Sequence, residues 1–454
     1  MTASYNHYFF VGIAGTGMSA IAQYLRGTGK KVSGSDRLFN QDNKMLIQEQ
    51  FEQMGIACHF QDASGISADV DVVVVSTAIE ESNVEYQAAL QRGIPIMKRS
   101  ELLAAISASM RTIAVGGTSG KSTTTSMVFH ILDKCGFSPS LMTGAGLTAL
   151  QKKGLPGNAF VGESDWLVIE SDESDGSIVN YLPEIGLLLN IDRDHKEFDE
   201  LIALFETFKR NTSGRFIVNA NHPVAQKLSA NSTHDFGIED GVGFVARDFV
   251  QEGYEIRFTL NGVPFQVPVI GHHNMENCAA AVAAAVTVGV TIEQAAIAMQ
   301  SFEGIYRRTQ LVGKKRDICV IDDFAHNPAE VAAAIEACHR VGRRVFAWFQ
   351  PHGFGPLRFM HEELGERVAD TLTGEDLFLL SDVYYAGGTV NMDISPVVVS
   401  DAIVAKQKNA LFIPDRNEIV PYLNQNAQPG DVVLLMGARD ITLSDFAAFV
   451  LNNL

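Results

Sequence analysis

The run Gly116-Gly117-Thr118-Ser119-Gly120-Lys121-Ser122-Thr123 gathers the residue types that hold a phosphate chain. Glycines let a backbone turn tightly and aim N–H groups at phosphate oxygens. A lysine adds a point charge, and a hydroxyl beside it can ligate a divalent cation. Gly117, Thr118, Ser119, Gly120, Lys121, Ser122 and Thr123 are therefore the candidate nucleotide contacts, with Lys121 at the terminal phosphates and Ser122 on the cation. The run departs from a full Walker A pattern at Val115, five residues before Gly120, where that pattern has glycine.

Two carboxylate-rich runs follow: Glu170-Ser171-Asp172-Glu173-Ser174-Asp175 and Asn190-Ile191-Asp192-Arg193-Asp194-His195. Each comes after an apolar segment that reads as a buried strand, and ligands of open α/β sheets bind beyond the carboxyl ends of strands. Oxygen ligands plus one imidazole suit a second divalent ion, whereas a lone Asp-rich turn is more often a solvated cap. A second glycine-rich loop, Gly12-Ile13-Ala14-Gly15-Thr16-Gly17-Met18, is close to a dinucleotide fingerprint, although Ala14 breaks the strict spacing. Asp36 lies about twenty residues further on, where an acid can accept from a ribose hydroxyl.

These residues need rigid elements behind them. Tyr8–Val11, Lys31–Gly34, Val70–Ser76 and Pro95–Lys98 read as strands, separated by helices at Met18–Arg26 and Glu85–Arg92. Strands alternating with helices imply a parallel sheet with right-handed crossovers. A fresh unit starts at Arg111, with strands at Thr112–Val115, Trp166–Glu170 and Gly186–Ile191 and helices at Thr123–Cys135 and Asn277–Val288. Residues 214–270 carry short strands, with Asn261-Gly262 as a hairpin signal. A third unit begins near Thr309, with strands at Cys319–Asp322, Arg344–Phe349, Asp376–Ser381 and Asp431–Met436 and a helix at Pro328–Val341. The expectation is an α/β chain of three domains, 1–107, 108–308 and 309–454.

Composition narrows the partners. The net charge is -18, and Lys314-Lys315-Arg316 and Arg343-Arg344 are too short to track a nucleic-acid backbone. The five cysteines are scattered and form no C-x-x-C, so neither a disulfide framework nor a zinc site is expected. The start lacks a positive n-region, and no apolar stretch is long enough to span a bilayer. A cytoplasmic monomer or homodimer without membrane contact is expected.

Together these motifs resemble the Mur ligases, the ATP-dependent amide-forming enzymes of peptidoglycan precursor synthesis, over essentially the whole chain. The resemblance rests further on Ser33-Gly34-Ser35-Asp36, Val75-Ser76-Thr77-Ala78-Ile79, Ile94-Pro95-Ile96-Met97-Lys98-Arg99-Ser100-Glu101, Gly271-His272-His273-Asn274-Met275-Glu276-Asn277, Tyr306-Arg307-Arg308, Ile321-Asp322-Asp323-Phe324-Ala325-His326-Asn327-Pro328, Phe349-Gln350-Pro351-His352, Asp382-Val383-Tyr384-Tyr385-Ala386-Gly387 and Met436-Gly437-Ala438. It implies a Rossmann-like N-terminal domain for a UDP-sugar, a central P-loop ATPase-type domain with a mixed sheet, and a C-terminal Rossmann-like domain that closes over ATP and the amino acid.

The implied reaction joins UDP-N-acetylmuramate, through its carboxylate and an acyl phosphate, to L-alanine, with ATP and Mg²⁺ or Mn²⁺ as cofactors. By the resemblance Glu170 and His195 join Ser122 as metal ligands, and Asn274, Asn277, Arg308 and Asp323 bind ATP. Gly12, Ala14, Gly15, Thr16, Gly17, Met18, Asp36, Ser76, Thr77, Ala78 and Arg99 face the sugar nucleotide. Arg358 and Ala386 belong to the substrate set; in the mechanism expected here, His326 or His352 helps to position the amine. Three departures stand out: Ser119 replaces the usual histidine, Gly353 the usual arginine after Phe349-Gln350-Pro351-His352, and Lys196-Glu197-Phe198-Asp199 the usual segment after His195. A murein-peptide ligase, which attaches a tripeptide to the same sugar nucleotide, and a nucleotide-binding scaffold without catalysis are the alternatives.

Overall fold

The computed structural model describes residues 5–42, 44–192, 198–385 and 391–454. The fold is α/β, and three sheets carry it. In the first, strands lie in the order Ala57–Phe60, Lys31–Asp36, His7–Val11, Val72–Val75, Ile96–Lys98, all parallel. Val72–Val75 is fully buried, as four successive β-branched residues in an interior strand of a parallel sheet should be. The helix Thr16–Gly27 buries Met18, Ile21, Ala22 and Leu25, one stripe at helical spacing. Asn83 starts the helix Val84–Gln91 by accepting from Glu85 N at 2.9 Å, an N-cap contact contributing about 1 kcal/mol.

The second sheet is ordered Arg215–Val218, Ile185–Leu188, Arg111–Gly116, Trp166–Glu170, Ser140–Met142, Ala159–Phe160, with the last strand antiparallel. Its register sets Val115 opposite Glu170 and Gly116 opposite Leu188. The third is ordered Gln310–Lys315, Ile318–Asp323, Val432–Gly437, Val345–Gln350, Leu377–Leu380, Ala410–Phe412, with only its first strand antiparallel. A four-stranded sheet holds Phe236–Gly237, Phe244–Glu252, Glu255–Leu260 and Val263–Val267. Asn261 and Gly262 both take positive φ, 49° and 81°, the geometry of a type I′ hairpin turn.

The chain divides into two compact units, one of Met1–Arg247, Thr259–Phe265 and Glu276–Ile305, the other of Asp248–Phe258, Gln266–Met275 and Tyr306–Leu454. The first two sheets share the first unit and one apolar core. That continuity has a polar component. Asn158 Nδ2 donates to Thr16 O at 2.8 Å and to Ser19 Oγ at 2.7 Å, and Gln23 Nε2 donates to Asn158 Oδ1 at 2.8 Å. The helix behind the first glycine loop is thereby pinned to the end of the second sheet.

Several elements differ from the sequence-based expectation. The strand expected at Gly186–Ile191 is Ile185–Leu188, because the chain leaves the sheet for Asn190 to serve the phosphate loop. The one expected at Asp376–Ser381 is Leu377–Leu380; Asp376 instead accepts from Val345 N at 2.8 Å. Ala57–Phe60, Ser140–Met142, Ala159–Phe160 and Gln310–Lys315 carried no strand signal, being two to six residues long and mostly at sheet edges.

Candidate active site

The strand Arg111–Gly116 delivers its carboxyl end into the phosphate loop, and the helix Lys121–Lys134 leaves it. Gly120 is the N-cap in left-handed conformation, φ 81°, and a Cβ there would meet Asn277 Oδ1 at 2.7 Å. Both the φ and the close approach require glycine. Asn190, from the neighbouring strand end, shapes the loop. Its Oδ1 accepts from Thr118 Oγ1 at 2.9 Å and Ser119 N at 2.8 Å, and its Nδ2 donates to Ser119 O at 3.1 Å. Thr118 Oγ1 also receives Asp192 N at 2.9 Å. Thr123 sits half-buried in the first helical turn, and Thr124 donates to Asn277 Oδ1 at 3.2 Å.

Lys121 Nζ contacts Glu173 at 2.9 and 3.1 Å and donates to Gly117 O at 2.6 Å. Burial works against the Lys121 charge, but Glu173, Glu170 and Asp172 outweigh it and hold its pKa above the ordinary value. Burial pushes the Glu173 carboxyl up to about 6, against the opposing pull of Lys121. The pair is charged at neutral pH, and its short charge-assisted contacts support that reading.

Glu170 Oε2 accepts from Ser122 Oγ at 2.8 Å, Thr143 Oγ1 at 2.9 Å and Gly144 N at 2.7 Å. The Glu170 carboxylate and the Ser122 hydroxyl thus stand together beside the phosphate loop, and such hard oxygen ligands fit Mg²⁺ or Mn²⁺ better than a softer metal. Among the described residues no group of three or more His, Cys, Asp and Glu is arranged to hold a metal. His195, the imidazole of the expected set, lies outside the described residues, as does Ala386.

The first glycine loop lies at the carboxyl end of His7–Val11, beside the end of Val72–Val75 that carries Ser76, Thr77 and Ala78. Gly12 N and Ile13 N donate to Ser35 O, and Asp36 Oδ2 accepts from Ala14 N at 3.1 Å while Oδ1 accepts from Leu38 N at 3.1 Å. Oδ2 thus braces the glycine loop, while Oδ1 holds the turn that follows Asp36 itself. Gly15 and Thr16 are exposed, whereas Met18 turns into the core. A Cβ on Gly17 would come within 2.7 Å of Arg99 Nη1, so a larger residue there would displace the guanidinium. Arg99 in turn pairs with Asp175 at 2.7 Å.

In the second unit, Asn274 is buried and donates to Ile270 O at 2.7 Å. Asp323 accepts from Thr309 N and Ala325 N, and burial pushes its carboxyl up to about 6, against Arg308. The Arg308 guanidinium lies 4.9 Å from the Phe324 ring centre. Its neighbour Arg307 is buried and pairs with Asp322. His326 Nδ1 lies 3.1 Å from Glu330, and its ring meets that of His352 edge-on at 5.2 Å. Burial opposes the Glu330 charge, but His326 and Arg308 hold its carboxyl down at about 2. Arg358 pairs with Asp393 and donates to Asn391 O at 3.0 Å. All five cysteines are free.

Three family models cover most of the chain: a Mur ligase catalytic domain at residues 7–111, a Mur ligase middle domain at 115–285 and a Mur ligase glutamate ligase domain at 307–439. The chain belongs to the Mur ligase family. This Mur ligase is 35% identical over 458 residues to a UDP-N-acetylmuramate–L-alanine ligase of Pelotomaculum thermopropionicum, covering 96% of this chain and 95% of that one. A UDP-N-acetylmuramate–L-alanine ligase of Streptomyces avermitilis is 34% identical over 453 residues, covering 95% and 94%. The fold of this chain matches that of the UDP-N-acetylmuramate-alanine ligase of Thermotoga maritima, with a TM-score of 0.79 at 24% identity and 98% of each chain covered. A murein peptide ligase of Psychrobacter arcticus superposes with a TM-score of 0.68 at 22% identity, again over 98% of both chains.

The structure brings together Lys121, Ser122 and Glu170, and separately Gly17 and Arg99. Sequence reasoning did not single out Asn158, Glu173, Asp175 or Asn190 as site residues. Glu173, Asp175 and Asn190 stood inside motifs already noted, and their position at strand ends was the available signal. Asn158 carried none.

Proposed function

We propose that this Mur ligase joins L-alanine to the carboxylate of UDP-N-acetylmuramate with consumption of ATP. The observation that carries the reading is similarity along the full chain to relatives of that name, 35% identical over 96% of its length. The architecture of the phosphate loop supports it. In the proposed assignment residues 1–107 bind the sugar nucleotide, 108–308 bind ATP and 309–454 serve the amino acid. No helix among the described residues is long and apolar enough to cross a membrane.

In the first step a carboxylate oxygen of the sugar attacks the γ-phosphorus, and the bond to the bridging oxygen breaks, releasing ADP. The amine then attacks the acyl carbon, phosphate leaves with its oxygen, and the nitrogen loses a proton to give the amide. Such a reaction needs positioning and charge neutralisation more than covalent help. Lys121 and the N–H groups at the start of the Lys121–Lys134 helix orient the phosphates, and Asn277 fixes the loop from behind. Mg²⁺ or Mn²⁺ held by Ser122 and Glu170, with His195, would neutralise phosphate charge when bound. Asn274, Arg308 and Asp323 are assigned to ATP, and His326 and His352 to orientation of the amine. The sugar nucleotide falls to the Gly12–Met18 loop, Asp36, Ser76–Ala78 and Arg99, with Asp36 accepting from a ribose hydroxyl.

A murein tripeptide as incoming amine is the second reading, favoured by Gly353 in place of an arginine. Phosphate release from ATP with Mg²⁺ and UDP-N-acetylmuramate, with L-alanine or tripeptide supplied in turn, distinguishes them. Mass spectrometry of the product names the acceptor. Nucleotide binding without turnover on any amine would reduce the protein to a scaffold.

A further inference from the structure

Three carboxylates within one six-residue segment each reach a different part of the proposed site. Glu170 takes the Ser122 hydroxyl at 2.8 Å, Glu173 takes the Lys121 ammonium at 2.9 Å, and Asp175 takes the Arg99 guanidinium at 2.7 Å. The last two cations belong to different glycine loops: Lys121 closes the phosphate loop, and Arg99 lies against Gly17 of the first loop.

The segment between them is one hydrogen-bonded turn. Gly176 N donates to Glu173 O at 3.0 Å, Ser174 N to Asp172 Oδ1 at 3.0 Å and Ser177 N to Asp175 Oδ1 at 2.9 Å. Ser177 Oγ also meets the hydroxyl of the fully buried Tyr181 at 3.1 Å, which anchors the far end. Glu173 and Asp175 therefore cannot relax independently. All four charged side chains are mostly buried, at 13% and 4% exposure for Lys121 and Glu173 and 19% and 16% for Arg99 and Asp175; the Lys121–Glu173 contact is the better shielded from solvent screening, and the Arg99–Asp175 contact reaches the surface.

We propose that the Glu173–Asp175 turn couples the two loops, so that nucleotide at Lys121 and sugar nucleotide at Arg99 strengthen each other's binding, with Asp175 as the positioning residue for Arg99. The inference rests on the functional reading above. Each ligand brings phosphates that compete with a carboxylate for the same cation. When the first ligand draws its cation away, the freed carboxylate loosens the turn. The second ligand then displaces its carboxylate at lower cost, and by linkage the effect is reciprocal. Glu173 and Asp175 touch neither ligand in this account and act through Lys121 and Arg99.

The test is calorimetric titration of the full chain with UDP-N-acetylmuramate, with and without a non-hydrolysable ATP analogue and Mg²⁺, in the absence of any amine. The wild type should bind the sugar nucleotide at least about fivefold tighter with the analogue present, the lower end of typical coupling. Asp175→Asn should bring that ratio towards one while still binding both ligands, and Asp175→Glu should restore it. Thermal melting confirms that each variant is folded. A wild type with no ratio, or an Asp175→Asn variant with the full ratio, overturns the coupling. So does a parallel loss of both affinities at constant ratio, which is the signature of a merely structural residue. Failure of the wild type to bind UDP-N-acetylmuramate at all would instead refute the functional reading, and the coupling with it.

Discussion

Two adjacent arginines, Arg307 and Arg308, can be separated by experiment. Arg307 is 8% exposed at its side chain and its partner Asp322 2%. Nε reaches both Asp322 oxygens at 3.1 Å, and Nη2 donates to Gly437 O at 2.7 Å. Burial pushes the Asp322 carboxyl above its ordinary value, and Arg307 works against that push. Replacing Arg307 with Met strands a buried carboxylate and an unmatched carbonyl. Breaking such a pair from one side costs about 3–5 kcal/mol. For a domain of this size each kcal/mol moves the melting temperature by roughly 2–4 °C, so a fall of roughly 6–20 °C is expected in the transition of the second unit. Differential scanning calorimetry reads it. Asp322→Leu added to Arg307→Met removes the stranded charge and should recover much of the loss. A single variant melting within about 2 °C of wild type, against the shift expected per kcal/mol, would refute the reasoning, because the pair would then contribute nothing net.

Arg308→Ala, by contrast, should melt within a few degrees of wild type yet lower phosphate release by roughly 100-fold, the scale of losing one charge-stabilising group; normal turnover would remove Arg308 from the proposed ATP set. Lys121→Ala should reduce release by a comparable or larger factor of about 100 to 1,000, and an unchanged rate would undo the phosphate-loop assignment. Gly120→Ala forces a Cβ towards Asn277 at φ 81°, and nucleotide affinity should drop even where the protein still folds; calorimetric titration with ATP analogue measures it. Burial pushes the Glu85 carboxyl up to about 7, with the Ser35 hydroxyl opposing. A raised folded value means that its contribution is complete below the unfolded value near 4.5 and is lost as pH rises through about 7. Glu85→Gln should therefore be more stable than wild type at pH 8 and lose that advantage at pH 5, as thermal melts across that range would show.

How much of this was visible beforehand depended on whether the signal was local. The phosphate loop was legible because glycine, lysine and serine sat between an all-apolar strand and a helix, and each residue's role follows from its own chemistry. The buried run Val72–Val75 was legible for the same reason. Short edge strands such as Ala57–Phe60 were not, since half-exposed edges need no apolar alternation. Nor could sequence decide which of Arg307 and Arg308 turns inward. Arg307 takes a positive φ of 54°, and that backbone choice, set by the Asp322 and Gly437 contacts, leaves no trace in residue type. Asn158 was invisible because its partners Thr16 and Ser19 lie 142 and 139 residues away along the chain. The carboxylate run after Glu170 was noticed as a group, but its division among three partners is a property of the turn.

The pairing of Lys121 with Glu173 and of Arg99 with Asp175 has a consequence for selectivity among anions. A lone inorganic phosphate or sulfate arriving at either glycine loop meets a neutralised cation and must compete with a carboxylate that is already desolvated and well placed. In the proposed assignment a nucleotide chain would engage several backbone N–H groups at once and so outcompete that carboxylate, where a single small ion would not. The two pairs would thus act as a filter against the salts of the surrounding solution, leaving each loop receptive chiefly to longer polyanions.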